Sequence, residues 1–321
     1  GRPFALPLTE SPLQLPPCRL ACPLGQDVPG YLRLLSQGRV QEALDLILEH
    51  NPLPTVCGHV CTRPCETACT RGRIHEATPI RSLKLFAALR GKRRAPAAVG
   101  GPPRVAVIGS GPAGLTAAHD LARNGIRPAL IEAHHQAGGM LVWAVPRFRL
   151  PREALETDVR AVLDTGVELR TGLAFGKDVR LENLRAEGFR ALLVAAGTTR
   201  SLGLGIPGED SPGVVDSLAF LRRFNDGDER PPGRRVLVVG GGNAAMDAAR
   251  TARRLGSEVR VVYRRTREEM PADPLEVAAA VEEGVGFSFR SVPVEVATRD
   301  GRVQGLRCVR TEPSHTARDQ R

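Results

Sequence analysis

Aromatic side chains are scarce in this chain of 321 residues, where Phe, Trp and Tyr together make up 4 % and Trp occurs once. Basic residues outnumber acidic residues by 45 to 35, which gives a formal charge of +10. No basic stripe is interleaved with aromatic residues and no nucleic-acid-binding motif is recognisable, so nucleic-acid binding is not expected. A basic surface that meets nucleotide phosphates or an acidic redox partner fits this charge better.

Long apolar runs are absent as well. No run approaches the length of about 18 residues that a membrane-spanning helix needs, so the sequence predicts no membrane span. Residues 1–17 are rich in proline, contain no apolar h-region and do not have the pattern of a secretory signal peptide. Together with the nucleotide motifs that follow, these absences favour a cytoplasmic protein.

Two glycine-rich loops, one in each half of the chain, carry the strongest signal in the sequence. The first follows the apolar residues 105–108 and contains Gly109, Gly111, Pro112, Ala113 and Gly114. The second follows the apolar residues 236–239 and contains Gly240, Gly242, Asn243 and Ala244. Each loop opens a helix, so its backbone N–H groups and the positive helix end face a pyrophosphate. Two such loops predict two dinucleotides and electron transfer between them.

The residue that ends the second strand of each unit distinguishes the two cofactors. Glu132 follows Gly109 at the interval typical of a ribose-binding acid, and a carboxylate there accepts hydrogen bonds from an adenosine ribose and repels a 2′-phosphate. Arg264 and Arg265 follow Gly240 at a similar interval, and two guanidinium groups can clamp a 2′-phosphate. We therefore predict FAD at the first loop and NADPH at the second. The alternative is that both arginines are solvated surface charges.

All but one of the seven cysteines lie within residues 18–69. They are Cys18, Cys22, Cys57, Cys61, Cys65 and Cys69. In a chain with nucleotide motifs and no export signal, metal or cluster ligation explains them better than disulfides do. An iron–sulfur cluster is favoured, because a one-electron acceptor is the natural neighbour of a flavin. Structural zinc is the alternative, since its C-x2-4-C pairs are compatible with this spacing.

The hydrophobic pattern predicts a small α-helical domain followed by two Rossmann-like α/β units. The predicted domains are an iron–sulfur domain over 1–95, the first part of an FAD-binding domain over 104–200, an NADPH-binding domain over 201–310 and a disordered tail over 311–321. The predicted helices cover 28–49 with a break at Gly38, 64–71 and 79–90. The predicted strands cover 127–132, 191–196 and 259–263, with a hairpin over 292–297 and 303–309. The helix over 64–71 would place Cys65 and Cys69 on one face, and Cys308 would be half-buried.

Several motifs together resemble those of one known family. They are the cysteine segments 17–23, 51–61 and 65–69, residues 138–141, 146–151, 206–210 and 241–247, and the segments 263–265 and 269–272. They resemble the small-subunit family of NADPH-dependent glutamate synthase, which includes the matching N-terminal half of dihydropyrimidine dehydrogenase. The resemblance covers nearly the whole chain. It implies a glutathione-reductase-like arrangement in which electrons pass between NADPH, FAD and 4Fe–4S clusters, to or from a larger catalytic or electron-accepting subunit.

The resemblance also implies roles for further residues. Gly139, with Met140 and Leu141, lies on the flavin side of the site, and Arg149 either contacts the flavin or is a plain surface residue. Cys22, Cys61 and Cys65 serve one cluster, which a non-cysteine ligand such as Glu76 completes. Cys18 and Cys69 serve a second cluster that lacks two partners, because Glu10 and Leu13 occupy the positions of the family's upstream cysteine pair. Cys57 matches a family cysteine that usually does not ligate.

The end of the chain departs from the family pattern. Family members return to the flavin domain with a late strand and a Gly-Asp turn that holds the ribityl chain, and nothing after Val309 resembles these. The chain is therefore expected to be a fragment, a split gene product or a degenerate member, to lack the C-terminal part of the flavin domain, and to bind FAD weakly by itself. A non-catalytic scaffold subunit that binds nucleotides and clusters is the rival to an electron-transferring enzyme.

Overall fold

The computed structural model describes residues 15–93 and 99–312. Residues 1–14 of the proline-rich start, residues 94–98 and most of the predicted tail, from residue 313 onward, lie outside the described residues. The chain folds as two compact units. Unit 1 contains the described residues up to Leu141 together with Phe148–Gly197, and unit 2 contains Val142–Arg147 and the described residues from Thr198 onward. The domain boundaries inferred above stay predictions.

The N-terminal part of unit 1 is helical. Its helices are α1 (Pro17–Ala21), α2 (Val28–Ser36), α3 (Val40–Leu48), α4 (Pro54–Val60), α5 (Pro64–Thr67) and α6 (Ile80–Arg90), with a 3₁₀ turn at Thr70–Arg73. The Asp27 side chain accepts a hydrogen bond from the Gly30 N–H and so caps α2. Gly38, at φ +73°, separates α2 from α3, which confirms the predicted break.

Close packing holds α4 against α6. A Cβ atom on Gly58 of α4 would lie 2.7 Å from Leu85 of α6, so only glycine permits this approach. The core beneath contains Val28, Tyr31 and Ile47, all nearly inaccessible to solvent. The helix α4, which carries Cys57, was not predicted from the sequence.

The predicted helix over 64–71 is wrong in its second half. The α5 helix ends at Thr67, and Cys69 has an extended backbone with φ −66° and ψ 122°. The Cys69 Sγ atom faces the Thr78 hydroxyl at 3.9 Å, so a contact outside the helix decides its position. Cys65 and Cys69 therefore do not share one helical face; Cys65 is buried and Cys69 is half-buried.

The remainder of unit 1 is an α/β layer. Its strands are β1 (Val105–Ile108), β2 (Pro128–Ile131), β3 (Glu168–Arg170) and β4 (Ala191–Val194), in the order β3-β2-β1-β4 and all parallel. Its helices are α7 (Pro112–Arg123), α9 (Arg152–Leu163) and α10 (Leu181–Ala186), and α8 (Met140–Trp143) passes from unit 1 into unit 2 after Leu141. The helical part joins this layer through Asp158 of α9, which pairs with Arg93 and accepts a hydrogen bond of 2.8 Å from the Val56 N–H.

Unit 2 contains a second parallel sheet and a hairpin. Its elements are α11 (Ser217–Asn225), β5 (Arg235–Val239), α12 (Asn243–Arg254), β6 (Glu258–Val262), α13 (Pro274–Glu282), β7 (Gly286–Ser288), β8 (Ser291–Arg299) and β9 (Arg302–Arg310). The sheet has the order β5-β6-β7, and β8 pairs with β9 in antiparallel orientation, as the sequence predicted. Met246, Ala249 and Val261 form the centre of its core.

The structure differs from two expectations for the C-terminal part of the chain. Cys308 was predicted to be half-buried, but it is exposed on β9, a strand whose residues are mostly exposed. Thr311, which belongs to the predicted disordered tail, hydrogen bonds through its N–H to Arg290 and through its hydroxyl to the carbonyl of Arg264. Among the described helices, none has the length and apolar character needed to cross a membrane.

Candidate functional site

The first glycine-rich loop is shaped by glycines that allow no side chain. Gly109, at φ +98°, ends β1, and its N–H donates to the Ile131 carbonyl at 2.8 Å. A Cβ atom on Gly114 would lie 1.9 Å from the Gly109 carbonyl oxygen, so α7 can approach the loop this closely only with glycine. Gly111 is the N-cap of α7, where no described side chain caps the helix. The N-terminal N–H groups of α7 therefore suit a pyrophosphate.

A second glycine segment packs against this loop. A Cβ atom on Gly139, at φ +54°, would lie 2.9 Å from the Gly111 Cα atom, and the Gly138 N–H donates to the Ser110 carbonyl at 2.9 Å. Met140 and Leu141 follow directly in α8. The structure thus places residues 138–141 beside the predicted pyrophosphate loop.

The Glu132 carboxylate is tied to the same loop from the end of β2. It is 5 % exposed. It accepts hydrogen bonds from the Ser110 N–H at 2.9 Å, the Ser110 hydroxyl at 2.6 Å and the His134 N–H at 2.9 Å. A carboxylate offers about four lone-pair sites, so one remains for a ribose hydroxyl. The sequence analysis predicted Glu132 here but missed Ser110. Ser110 lies between Gly109 and Gly111, at a position where the glycine motif does not specify a residue.

Arg149 lies further along the chain than the loop residues and Glu132. It is half-buried and precedes the fully buried Leu150. Its neighbour Arg152 donates to the Leu141 carbonyl at 3.2 Å, which fastens the chain after the flavin-side segment. A contact between Arg149 and the flavin stays a prediction.

The second glycine-rich loop has an equivalent construction in unit 2. Gly240 has φ +132°, and its N–H donates to the Val262 carbonyl at 3.0 Å. A Cβ atom on Gly241 would lie 2.4 Å from the Tyr263 ring. Gly242 is the N-cap of α12 without a described side-chain cap, and the Asn243 side-chain oxygen accepts from the Asp273 N–H at 2.8 Å. This helix terminus also suits a dinucleotide phosphate.

The two arginines that follow β6 begin an ordered turn. Arg264 is exposed and Arg265 is half-buried. Glu269 holds the turn, because it accepts hydrogen bonds from the N–H and the hydroxyl of Thr266, each at 3.0 Å. These bonds, and then the charges of Arg265 and Arg290, lower the pKa of Glu269. Glu269 was part of the family motif, but the sequence analysis did not predict that it holds this turn. The Thr-x-x-Glu spacing of Thr266 and Glu269 could have indicated this hydrogen bonding.

A buried tyrosine of the helical part shares its core with Cys65, and Cys18 packs against that core. Tyr31 of α2 is 1 % exposed. Burial and then the nearby thiols raise its pKa above the ordinary value. The thiols that act on it are those of Cys65, Cys22, Cys18 and Cys61. The sequence did not predict that Tyr31 lies among these cysteines, because helical periodicity shows only that it faces a core.

Burial raises the pKa of two of these thiols. Burial raises the pKa of Cys65 to about 11, with further contributions from Cys61 and Cys22. Burial also raises the pKa of Cys18, to which Cys69 contributes. Ligation itself stays a prediction.

The other candidate ligands behave differently. The Cys57 thiol donates to the Asn51 side-chain oxygen at 3.7 Å, and Glu76 is exposed. Within the described residues, no three His, Cys, Asp or Glu side chains are gathered as a single metal ion requires. All seven cysteines are free. Thiolates are the ligands that 4Fe–4S clusters take, so the chemistry of this donor set is compatible with such a cluster.

Comparison with known families assigns both parts of the chain. The pyridine nucleotide-disulphide oxidoreductase family matches residues 103–317. Residues 13–95 match a family described as dihydropyrimidine dehydrogenase domain II, 4Fe-4S cluster. The predicted cofactors FAD, NADPH and a 4Fe–4S cluster are confirmed at the level of these families.

Several curated proteins are similar over most of this chain. It is 37 % identical to the β subunit of NADP(+)-dependent formate dehydrogenase from Moorella thermoacetica, over 97 % of this chain and 48 % of that protein. It is 38 % identical to the β subunit of NADPH-Fe(3+) oxidoreductase from Geobacter sulfurreducens, over 92 % of this chain and 45 % of that protein. It is 37 % identical to the NADPH glutamate synthase small chain from Halomonas elongata, over 94 % and 68 %. The chain thus spans about half the length of the first two relatives.

Solved structures share the fold. The structure of a point mutant of FprA from Mycobacterium tuberculosis superposes with a TM-score of 0.58 at 18 % identity, over 69 % of this chain and 66 % of that one. FprA in complex with NADPH gives 0.53 at 19 % identity, over 66 % and 68 %. The predicted α/β class with Rossmann-like units is confirmed. The chain belongs to the pyridine nucleotide-disulphide oxidoreductase family, within the group that includes the small chain of NADPH-dependent glutamate synthase.

Proposed function

We propose that this chain is an NADPH-dependent flavin oxidoreductase of the glutamate synthase small-subunit type, which passes electrons between NADPH, FAD and iron–sulfur clusters. The observation that carries the proposal is the contrast between the two glycine-rich loops. The first loop is hydrogen-bonded to the buried Glu132 through Ser110, whereas Gly240 of the second loop is hydrogen-bonded to β6, the strand that Arg264 and Arg265 follow. This contrast supports a nucleotide without a 2′-phosphate in unit 1 and one with it in unit 2.

When bound, NADPH and FAD supply hydride exchange, and a 4Fe–4S cluster supplies single-electron steps. The chain's own residues bind and orient these groups. The α7 and α12 N-termini direct N–H groups at the phosphates, Glu132 accepts from a ribose hydroxyl, and the arginines after β6 neutralise a 2′-phosphate. Cys22, Cys61 and Cys65 would hold a cluster near Tyr31.

The substrate chemistry belongs to a larger partner subunit in this proposal. Three relatives carry names of β subunits or small chains, which supports such a partner. We also infer a cytoplasmic location, because free thiols and iron–sulfur clusters persist in reducing compartments.

Nucleotide selectivity tests the assignment of unit 2. Replacing both Arg264 and Arg265 by alanine should weaken NADPH binding by about 2–4 kcal/mol and leave NADH binding nearly unchanged, because charge-assisted hydrogen bonds to the 2′-phosphate are lost. Isothermal titration with both nucleotides measures this. Arg302→Ala, at the exposed first residue of β9, is the matched control. Equal affinity of the wild type for NADPH and NADH would refute the assignment.

A visible spectrum separates the enzyme from the rival scaffold subunit. The proposal expects flavin bands and a broad cluster shoulder, both bleached by NADPH under anaerobic conditions. A scaffold would bind the nucleotide without bleaching.

A further inference from the structure

A third arginine follows the strand beside β6. The strands β6 and β7 pair in parallel with Val262 opposite Ser288, so their carboxyl ends reach the same edge of the sheet. Arg264 and Arg265 follow β6 at this edge, and Arg290 follows β7. The Arg290 N–H donates to the Arg265 carbonyl at 3.0 Å. The nucleotide motif considers only the end of the second strand, so the sequence did not indicate Arg290.

The turn that begins with the two arginines after β6 is fixed to the second glycine-rich loop. The Tyr263 ring packs against Gly241, where a Cβ atom would lie 2.4 Å from it. At the other end of the turn, the Ala272 N–H donates to the Gly241 carbonyl at 3.1 Å. Between these contacts, the Tyr263 hydroxyl donates to the Glu269 carbonyl at 2.8 Å. The arginines after β6 are therefore carried by a segment that is anchored to the predicted pyrophosphate loop.

Arg290 is held in a strained backbone conformation beside this segment. Its φ is +52°, in the left-handed region that arginine rarely adopts. Thr311 ties it to the first arginine after β6, because its N–H donates to the Arg290 carbonyl at 3.0 Å and its hydroxyl donates to the Arg264 carbonyl at 2.9 Å. Backbone strain of this kind persists where the surrounding structure holds it, and it concentrates at binding sites.

The guanidinium groups at this sheet edge are accessible. Arg264 and Arg290 are exposed, and within residues 15–93 and 99–312 neither side chain makes a hydrogen bond or an ion pair. The acid that holds the turn, Glu269, accepts hydrogen bonds from the N–H and the hydroxyl of Thr266, each at 3.0 Å. Accessible guanidinium groups beside a pyrophosphate loop suit a phosphate monoester.

We propose that Arg290 is a third cation of the 2′-phosphate site in unit 2 and that it contributes to selectivity for NADPH over NADH. The inference rests on the proposed function, which assigns NADPH to this loop. A phosphate monoester accepts charge-assisted hydrogen bonds from more than one guanidinium group. NADH lacks the 2′-phosphate, so Arg290 has no such partner in NADH. Arg290 thus determines specificity and takes no part in hydride transfer.

Isothermal titration of the whole chain with NADPH and with NADH tests the inference. Arg290→Asn removes the charge, and asparagine tolerates the left-handed backbone conformation. It should weaken NADPH binding about tenfold, as the loss of a hydrogen bond to a charged group implies, and leave NADH binding within about twofold. Arg290→Lys keeps a cation and should retain more of the NADPH affinity than Arg290→Asn. Arg302→Asn, at the exposed first residue of β9, should change neither affinity.

Each outcome decides the inference. A selective loss of NADPH affinity in Arg290→Asn would support it. An equal loss for both nucleotides would overturn it in favour of a packing role, and an equal loss of NADPH affinity in Arg290→Lys would overturn a role for the charge. If Arg290→Asn kept the full preference for NADPH while the Arg264 and Arg265 double variant lost it, the inference would fail and the proposed function would stand. A wild-type chain without this preference would overturn the proposed function, and with it the inference.

Discussion

At the scale of single residues, the two nucleotide loops depend on distances that a side chain would violate. A Cβ atom would lie 1.9 Å from a carbonyl oxygen at Gly114, 2.9 Å from a backbone carbon at Gly139 and 2.4 Å from an aromatic ring at Gly241. Backbone obstacles cannot rotate away as a flexible side chain can. The glycines at 114 and 139 are therefore more demanding than the glycine at 241.

Gly114→Ala tests this ranking. The extra methyl group has to displace α7 or the Gly109 carbonyl, which we expect to lower the free energy of unfolding by about 1–3 kcal/mol. Urea unfolding measures the change. Gly100→Ala, at a position with no atom near the added Cβ, is the control and should stay within about 0.5 kcal/mol of the wild type. Equal stability of the two variants would contradict the argument.

The cysteines make a second prediction at this scale. Cys22→Ser or Cys61→Ser should abolish or strongly reduce the iron and sulfide content, because a hydroxyl group replaces a thiolate that holds iron. Chemical iron and sulfide analysis measures it. Cys308→Ser, on the exposed strand β9, should leave both contents unchanged. Stoichiometric zinc in place of iron would refute the prediction.

At the scale of elements, one ion network fastens α13 and the residue after it to α12. Arg250, buried on α12, pairs with Glu276 and lies 2.8 Å from Glu283, and Arg254 lies 2.7 Å from Glu283. Burial raises the pKa of Glu283, but the hydrogen bonds from the two arginines outweigh it and hold this pKa below the ordinary value. The network therefore stabilises unit 2 when Glu283 is ionised.

The pH dependence of stability follows from that direction. Because the pKa of Glu283 is lower in the folded state, its ionisation contributes to the free energy of unfolding. This contribution is complete above the unfolded-state pKa of about 4.3, and it is lost as the pH falls through the folded-state pKa. Glu283→Gln should therefore lower stability by about 0.5–1 kcal/mol at pH 7, with allowance for solvent screening, and by less at pH 3. Thermal unfolding across this range measures it. Glu282→Gln, at the exposed neighbour, should show no such pH-dependent difference.

At the scale of the whole molecule, the sheet of unit 1 ends in an edge strand. In the order β3-β2-β1-β4 the strand β4 is terminal, and no other described strand pairs with its free side. The Val194 side chain is 68 % exposed there. An exposed apolar edge strand is a template for pairing with another chain.

We therefore expect this chain to self-associate through β4 at high concentration. Val194→Lys should reduce association, because a charged edge residue discourages strand pairing. Light scattering over a concentration series measures it. Leu202→Lys adds the same charge at a residue that is 97 % exposed outside any strand, and it should have little effect. Similar association of both variants would contradict a role for the edge.

Sequence patterns alone determined much of this protein. The glycine loops, the residues that end β2 and β6 and the cysteine spacing predicted the α/β class and all three cofactors, because each is a local signature. The break at Gly38 and the hairpin β8–β9 were also predicted, since a positive φ and a short turn act within a few residues.

Tertiary structure decided what depends on distant partners. The helix around Cys65 ends early because Cys69 faces Thr78, and the loop of Glu132 closes because Ser110, from the end of a different strand, reaches that carboxylate. Tyr31 of α2, Cys65 of α5 and Ile80 of α6 share one core because separate helices pack together. Periodicity indicates which residues face a core, but only packing determines which side chains and charges meet inside it.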